Sequence, residues 1–378
     1  MRPERRRSTT TLRNLIGAIP CPGVPYGGLQ TVPLRTILLE TAGEPMHTRR
    51  DFIQLSGLGL ATAIASGESS SIAAPRNARR FHFVQIDVFS SQRLQGNPLA
   101  VFTDARGLTD AEMQAIARET NLQETTFILP RDPVVERTQG VKVRIFVRTQ
   151  EIPFAGHPTL GTATVIRARA LAAKPGSAAA RRVVLDLKVG RIPVAFRNDA
   201  AGHLYGEMHQ NDPVFGKIHD RETVARLVGI RASDISDEAP VQTVSTGLPF
   251  AIVPLKDLQT LKNLHPHQED IAAYFAREPL TWFYYVTRDT HDPTVGIRAR
   301  GIYPDGEDPA TGSAAGCTAA WMVRYGVASS GQQVHLEQGV EIERPSHIFI
   351  RAERAGENVH NVRVGGNAIE IAEGEYSL

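Results

Sequence analysis

Glu124, His157, Asp308 and Ser313 are the side chains whose types and settings could move a proton in this chain. Glu124 stands in Asn121-Leu-Gln-Glu-Thr-Thr-Phe127, between a helix end and a strand start, a loop position of the kind that carries function. Taken singly, a glutamate in a turn is a solvated surface group. His157 follows Gly156 and precedes Pro158, which places Pro158 in a first helical turn, His157 at the cap and the imidazole at the positive helix end. A capping or satisfied core histidine is the plain alternative. Asp308 precedes Pro309, again at a predicted helix start, where a carboxylate is ordinarily a favourable cap. Thr311, Gly312 and Ser313 add hydroxyls and free N–H groups, which capping alone also explains.

The spacing of these residues is more telling than any one of them. Glu151-Ile-Pro-Phe-Ala-Gly-His-Pro-Thr-Leu-Gly161 and, about 155 residues later, Glu307-Asp-Pro-Ala-Thr-Gly-Ser-Ala-Ala-Gly316 each run from a strand-like stretch through a small-residue turn into an Ala-rich helix. Two helix N-termini can thus present bare backbone N–H groups to one small anion. A proton shuttle needs a titratable group, donors for the developing charge and a hold on the substrate. The chain has candidates for all three.

The elements that must position them alternate in type. Phe81 to Phe89 and Leu99 to Thr103 read as strands around a Gly96-Asn97-Pro98 turn, and Thr109-Asp-Ala-Glu112 is a capping box opening a helix. Strands follow at Thr125–Leu129 and Val141–Arg148, then the helix near Pro158 running to about Ala173, then strands at Val183–Leu187 and Ile192–Arg197. A second round begins near Leu204 and closes with the helix from Thr311 to about Tyr325 and strands at Gln333–Glu337, Ile348–Ala352, Val362–Val364 and Ala368–Ile371. The expected fold is α+β, with two pseudo-symmetric lobes, each a curved, mostly antiparallel sheet wrapped around a central helix. The lobes are expected over 80–198, completed by about 366–378, and over 199–365. No Gly/Ser-rich linker separates them, so strands are expected to cross between them.

A chain of 378 residues with 42% hydrophobic and 22% charged residues has the composition of a soluble globular protein large enough for two domains. Its net charge is +2, and much of the basic excess lies in the first fifty residues, so the folded part offers no face for nucleic acid. Cys21 and Cys317 are too far apart to frame a disulfide scaffold, and Cys317 reads as a small buried hydrophobe. Residues 1–79 read as an extension outside the fold. Thr48-Arg-Arg-Asp-Phe-Ile-Gln54, followed by the Gly/Ala-rich Leu55–Ala65, resembles a twin-arginine export signal with a cleavage point after Ala73, which implies a periplasmic or secreted location. The apolar run is too short for a stable membrane span. Met46 stands where such a signal would begin. His265-Pro-His267 with Glu269 and Asp270 reads as a solvated loop rather than a metal site, and the aromatic run Trp282–Tyr285 as a core strand. No Gly-x-Gly-x-x-Gly follows a strand and no Gly-Lys-Ser/Thr occurs, so no nucleotide cofactor is indicated.

Gly-Asn-Pro at 96–98, Asn-Leu-x-Glu-Thr-Thr-Phe at 121–127, Ala-Gly-His-Pro-Thr at 155–159 and Glu-Asp-Pro-Ala-Thr-Gly-Ser-Ala at 307–314 together resemble the phenazine-biosynthesis PhzF-like family, related in fold to diaminopimelate epimerase. The resemblance runs from about Phe81 to the C-terminus. It implies a cofactor-independent isomerase with a cleft between two lobes and a small-molecule substrate. By that resemblance Glu124 matches the acid/base carboxylate, His157, Asp308 and Ser313 match polar active-site residues, and Gly156 and Gly312 match backbone donors to the substrate. Thr311 and Asn97 are taken as further binding residues. The family's best-known reaction is isomerisation of trans-2,3-dihydro-3-hydroxyanthranilate. Where diaminopimelate epimerases carry two cysteines, this chain has Ala155 and Thr311, which disfavours two-thiol racemisation and favours a proton shift along one face by a single carboxylate. A non-catalytic carboxylate binder and an amino-acid epimerase are the alternatives. A homodimer is compatible with the resemblance, although no residue pattern specifies one.

Overall fold

The structure, a computed structural model, describes residues 78–176, 181–278 and 280–378. The export-signal motif and its cleavage point lie outside the described residues. Among the described residues no helix is long and apolar enough to cross a membrane.

The first half opens with β1 (Arg80–Val88) antiparallel to β2 (Asn97–Phe102); α1 (Asp110–Thr120) then leads to β3 (Glu124–Leu129), which runs parallel to β2. A short helix, α2 (Pro133–Gln139), precedes β4 (Val141–Val147), and the two-residue β5 (Glu151–Ile152) delivers the chain into α3 (Gly156–Ala173). Next come β6 (Arg182–Leu187), β7 (Gly190–Asn198) and β8 (Leu204–His209), paired in antiparallel succession. The second half contains β9 (Val214–Ile218), α4 (Arg221–Val228), β10 (Gln242–Ser245), β11 (Pro249–Leu255), α5 (Leu258–Lys262) and α6 (Gln268–Tyr274). It continues with β12 (Trp282–Thr287), β13 (Ile297–Tyr303), β14 (Gly306–Asp308), α7 (Gly312–Arg324), β15 (Val334–Gln338), β16 (Ser346–Ala355) and β17 (Asn358–Ser377).

Local sequence accounts for these elements. Thr109 caps α1 through the reciprocal box with Glu112, and Asp220 caps α4 through Thr223 N. Alternating burial along Ser346–Ala355 places Ile348, Ile350 and Ala352 in the core. The two central helices behave differently, because they are small and apolar on every side rather than along a stripe. Every residue of α3 from Gly156 to Val165 is buried, as is every residue of α7 from Gly312 to Val323. Strands β1, β2, β3, β6, β7 and β8 pack on α3, β10, β11 and β16 pack on α7, and β17 packs on both. Close approach demands the small residues: a Cβ at Gly161 would lie 2.7 Å from Leu99 Cδ2 and 2.8 Å from Val88 Cγ2.

Among the described residues, all seventeen strands join in one hydrogen-bonded network. The sheet is mixed, with parallel pairs β2–β3, β4–β6, β11–β12 and β13–β15 among antiparallel neighbours. The two final strands expected at Val362–Val364 and Ala368–Ile371 are one strand of 20 residues. Along its length β17 pairs in turn with β16, β8 and β1. Leu204, where a second round of elements was expected to start, opens β8, whose partners are β7 and β17. Two turn assignments shift as well. Asn97 and Pro98 begin β2, leaving Gly96 (φ 75°) as the turn residue, and α3 is capped at Ala155, so His157 sits inside the first turn.

Candidate active site

The N-termini of α3 and α7 meet. A Cβ at Gly312 would lie 3.0 Å from Gly156 Cα, and one at Gly156 would lie 2.5 Å from Ser313 N, so only glycines permit this contact. Neither helix is capped by a side chain at this end. The amides of Gly156 and His157 on one side and of Gly312, Ser313 and Ala314 on the other therefore have no intrahelical acceptor. Pro158 fills the third position of α3, where an N–H would otherwise be left over.

Beside this junction lies a cavity of about 320 Å³, lined among others by Glu124, Ala155, Asp308, Thr311 and Ser313, with Leu248, Phe250 and Trp282 as apolar wall. Glu124, the first residue of β3, enters it with 14% of its side chain exposed. Glu124 Oε2 stands 3.4 Å from His157 Nε2, and neither atom has a hydrogen-bond partner. Buried polar atoms without partners are uncommon and mark a place where another group belongs.

Asn97 ties the two halves together. Its Nδ2 donates to Asp308 Oδ1 at 2.6 Å and to the Ala310 carbonyl at 2.9 Å, and lies 3.0 Å from His157 Nδ1. The two hydrogens of this nitrogen go to Asp308 and Ala310, and it has no acceptor capacity to offer His157 Nδ1, so the neutral ring is assigned its proton on Nε2, facing Glu124. Asp308 also accepts from Thr311 Oγ1 at Oδ2, 2.6 Å away. Both of its oxygens are thus engaged, whereas Glu124 keeps one free.

Electrostatics separate the three groups. Burial, followed by the neighbouring Asp308 and Asp305 carboxyls, holds Glu124 well above the usual carboxyl range, with Arg148 opposing. Burial raises Asp308 too, against the hydrogen bonds from Thr311 and Asn97. His157, only 2% exposed, is pushed down to about 3 by burial and stays neutral. Arg148, just past β4, donates to Asp305 Oδ2 at 2.6 Å and so links the two halves beside the cavity.

All of the residues singled out by sequence come together: Glu124, Asp308, Thr311 and Ser313 line the cavity, and Asn97, Gly156, His157 and Gly312 build its floor. Several others escaped that reading. Gln338 and Tyr284 are fully buried and hydrogen-bonded into the 308–311 turn, and Tyr303 and Asp305 line the cavity. Trp282 and Tyr284 belong to the aromatic run read as a core strand, which it is; the period-two alternation of β12 turns both toward the site. Gln210 donates to the Gly312 carbonyl at 2.9 Å from β8's end, a contact without any local sequence signal.

Comparison with known proteins agrees with this geometry. The profile of the phenazine biosynthesis-like protein family (PhzC-PhzF) matches residues 86–374. The chain is 34% identical over 303 residues to trans-2,3-dihydro-3-hydroxyanthranilate isomerase of Pseudomonas aeruginosa, covering 78% of this chain and 99% of that protein. Among solved structures, a PhzF-family protein of Bacillus anthracis superposes with TM-score 0.69 at 25% identity, covering 79% of this chain and 99% of the other. A Pseudomonas aeruginosa protein described as a predicted epimerase does so with TM-score 0.66 at 33% identity over the same shares. A hydroxyproline epimerase of Agrobacterium vitis, at 12% identity and TM-score 0.53, shares the fold. With the profile covering most of its length and the paired helix N-termini in place, the chain belongs to the phenazine biosynthesis-like (PhzC-PhzF) family.

Proposed function

We propose that this isomerase moves a proton within a small, cyclic or unsaturated carboxylate-bearing substrate, in the manner named for its trans-2,3-dihydro-3-hydroxyanthranilate isomerase relatives, with Glu124 as both base and acid. The observation that carries the reading is the contrast between two buried carboxyls in one cavity. Glu124 Oε2 has no partner, while both Asp308 oxygens already accept hydrogen bonds.

In this mechanism the Glu124 carboxylate takes a proton from one substrate carbon, and the C–H electron pair moves into the conjugated system. Negative charge then builds on the substrate's carboxylate end, where the free amides at the starts of α3 and α7 stabilise it. The Glu124 side chain, 14% exposed, exchanges this proton with solvent and returns a proton to a more distant carbon on the same face, so the double bond is displaced and the composition is unchanged. His157 Nε2–H faces the Glu124 carboxylate before the first transfer and after the second. A raised pKa suits both steps, because the group must both take up and release a proton. Epimerisation would need a second free base, whereas both Asp308 oxygens already accept hydrogen bonds.

Incubation with trans-2,3-dihydro-3-hydroxyanthranilate in D2O tests the proposal. Wild type is expected to incorporate deuterium at carbon, and Glu124→Gln to lose at least about 100-fold in exchange rate, the usual scale of general acid–base catalysis. Undiminished exchange in a folded Glu124→Gln protein removes Glu124 from the role. Stabilisation by the ligand without exchange in wild type would identify a binder instead.

A further inference from the structure

We infer that Gln338 is a positioning residue for Asp308, whose carboxamide fixes the direction of the hydrogen bonds in the 308–311 turn so that Thr311 gives its hydroxyl hydrogen to Asp308; the inference rests on the proton-transfer reading of the site. Gln338 ends β15, 30 residues beyond Asp308, and is fully buried. Its side chain has four partners in the site. Oε1 accepts from Thr311 N at 3.0 Å and from the Tyr284 hydroxyl at 2.6 Å, while Nε2 donates to the Asp308 carbonyl at 2.7 Å and reaches Thr311 Oγ1 at 3.0 Å.

These neighbours leave one arrangement. Thr311 N–H can only donate and the Asp308 carbonyl can only accept, so the two ends of the carboxamide are not interchangeable. Nε2 must then donate to Thr311 Oγ1, and the threonine's own hydrogen is directed to Asp308 Oδ2, 2.6 Å away. Asn97 Nδ2 supplies Oδ1 at the same distance. Asp308 is therefore an acceptor at both oxygens, and proton traffic is left to Glu124. Other ionisable groups facing this pair are Glu124 from β3, His157 from α3, Asp305 and Tyr303 from the β13–β14 hairpin, Tyr284 from β12 and Arg148 beyond β4. None of them contributes a hydrogen bond to the Asp308 carboxyl, whose donors are the Thr311 hydroxyl, the Asn97 amide and the Ala310 backbone N–H.

Infrared titration of the buried carboxyls in the full chain, without substrate, tests this, with the Asp308 band identified by its loss in Asp308→Asn. In Gln338→Met, of similar volume, the Asp308 midpoint is expected to rise by roughly one pH unit, the worth of a charge-assisted hydrogen bond weakened when the threonine hydroxyl is free to turn. In Gln338→Leu, which also leaves the threonine hydroxyl free to turn and adds no charge, the midpoint should rise likewise. An unmoved midpoint in a Gln338→Met protein with native circular dichroism overturns the inference; a purely structural glutamine would lower Tm and nothing else. Should Gln338→Met not fold, the uncharged Gln338→Leu decides by the same criterion. Since no turnover is involved, a shifted midpoint together with absent deuterium exchange would remove the proton-transfer reading and leave the hydrogen-bond assignment standing.

Discussion

Glu124 shows how one residue's burial serves chemistry at the expense of stability. Its pKa is raised in the fold, chiefly by burial, above the ordinary 4.5. Between those two values the folded chain holds a proton that the unfolded chain has released, so stability falls as pH rises through that window, by up to about 1.4 kcal/mol per pH unit for one proton. Glu124→Gln removes this slope. The variant is expected to unfold at higher Tm than wild type near neutral pH and to match it in mild acid, measured by thermal melts across pH. His157 acts in the opposite sense: held down to about 3 against an ordinary 6.5, it takes up a proton on unfolding as pH drops through that interval, which weakens the fold in acid. Both residues were legible in the sequence because each sits in a recognisable motif, Glu124 between a helix end and a strand start and His157 at the start of α3. Gln338 was not, since a glutamine ending an alternating strand carries no signature and its partners lie about 30 residues away or farther.

At the scale of elements, the site depends on two helices that touch end to end. Gly156 and Gly312 are needed for space; the near approach of the other helix's backbone is what forbids a side chain. Gly312→Ala is expected to destabilise the fold by about 1–3 kcal/mol through overpacking against Gly156 and Phe89, and to cut exchange along with it, as read by urea denaturation and the deuterium assay. Thr109→Ala, which removes the α1 cap far from the cavity, should cost about 1 kcal/mol and leave exchange unchanged, giving a control for stability alone. The starts of both central helices were readable to within a residue or two, because small-residue turns followed by Ala-rich runs are local signals. The shift of the α3 cap from His157 to Ala155 follows from the extended backbone of Ala155 (φ −152°, ψ 146°), which the sequence did not reveal.

Across the whole molecule, β17 unites the two halves. Its first part completes the sheet beside β16, and its last ten residues run antiparallel to β1 from Ala368↔Val88 to Ser377↔Arg80. A chain ending at Asn367 would leave β1 without that partner and uncover Phe83, which packs edge-on to Tyr376 at 5.5 Å. Such a truncation is expected to give aggregated protein without native near-ultraviolet dichroism, whereas soluble native-like protein would show the closing strand to be dispensable. Two separate terminal strands were expected because Gly365, Gly366 and Asn367 interrupt the apolar pattern. In the fold Gly365 passes under Tyr205 and Gly366 under Phe89 and the His347 carbonyl, where side chains would collide, so glycine continues the strand instead of breaking it.

The amino-acid sequence by itself determined the order of strands and helices, the two turn-to-helix motifs and the family signature spread across 96–98, 121–127, 155–159 and 307–314. Those features are local, set by periodicity, caps and turn residues within a few positions. Only the tertiary structure decided that Glu124 keeps an unpartnered oxygen while Asp308 has none, that His157 presents Nε2 to Glu124, and that Gln338 orients Thr311. Each of these depends on hydrogen bonds and burial between segments far apart in the chain, where the direction of a donor and the loss of water are properties of the assembled site.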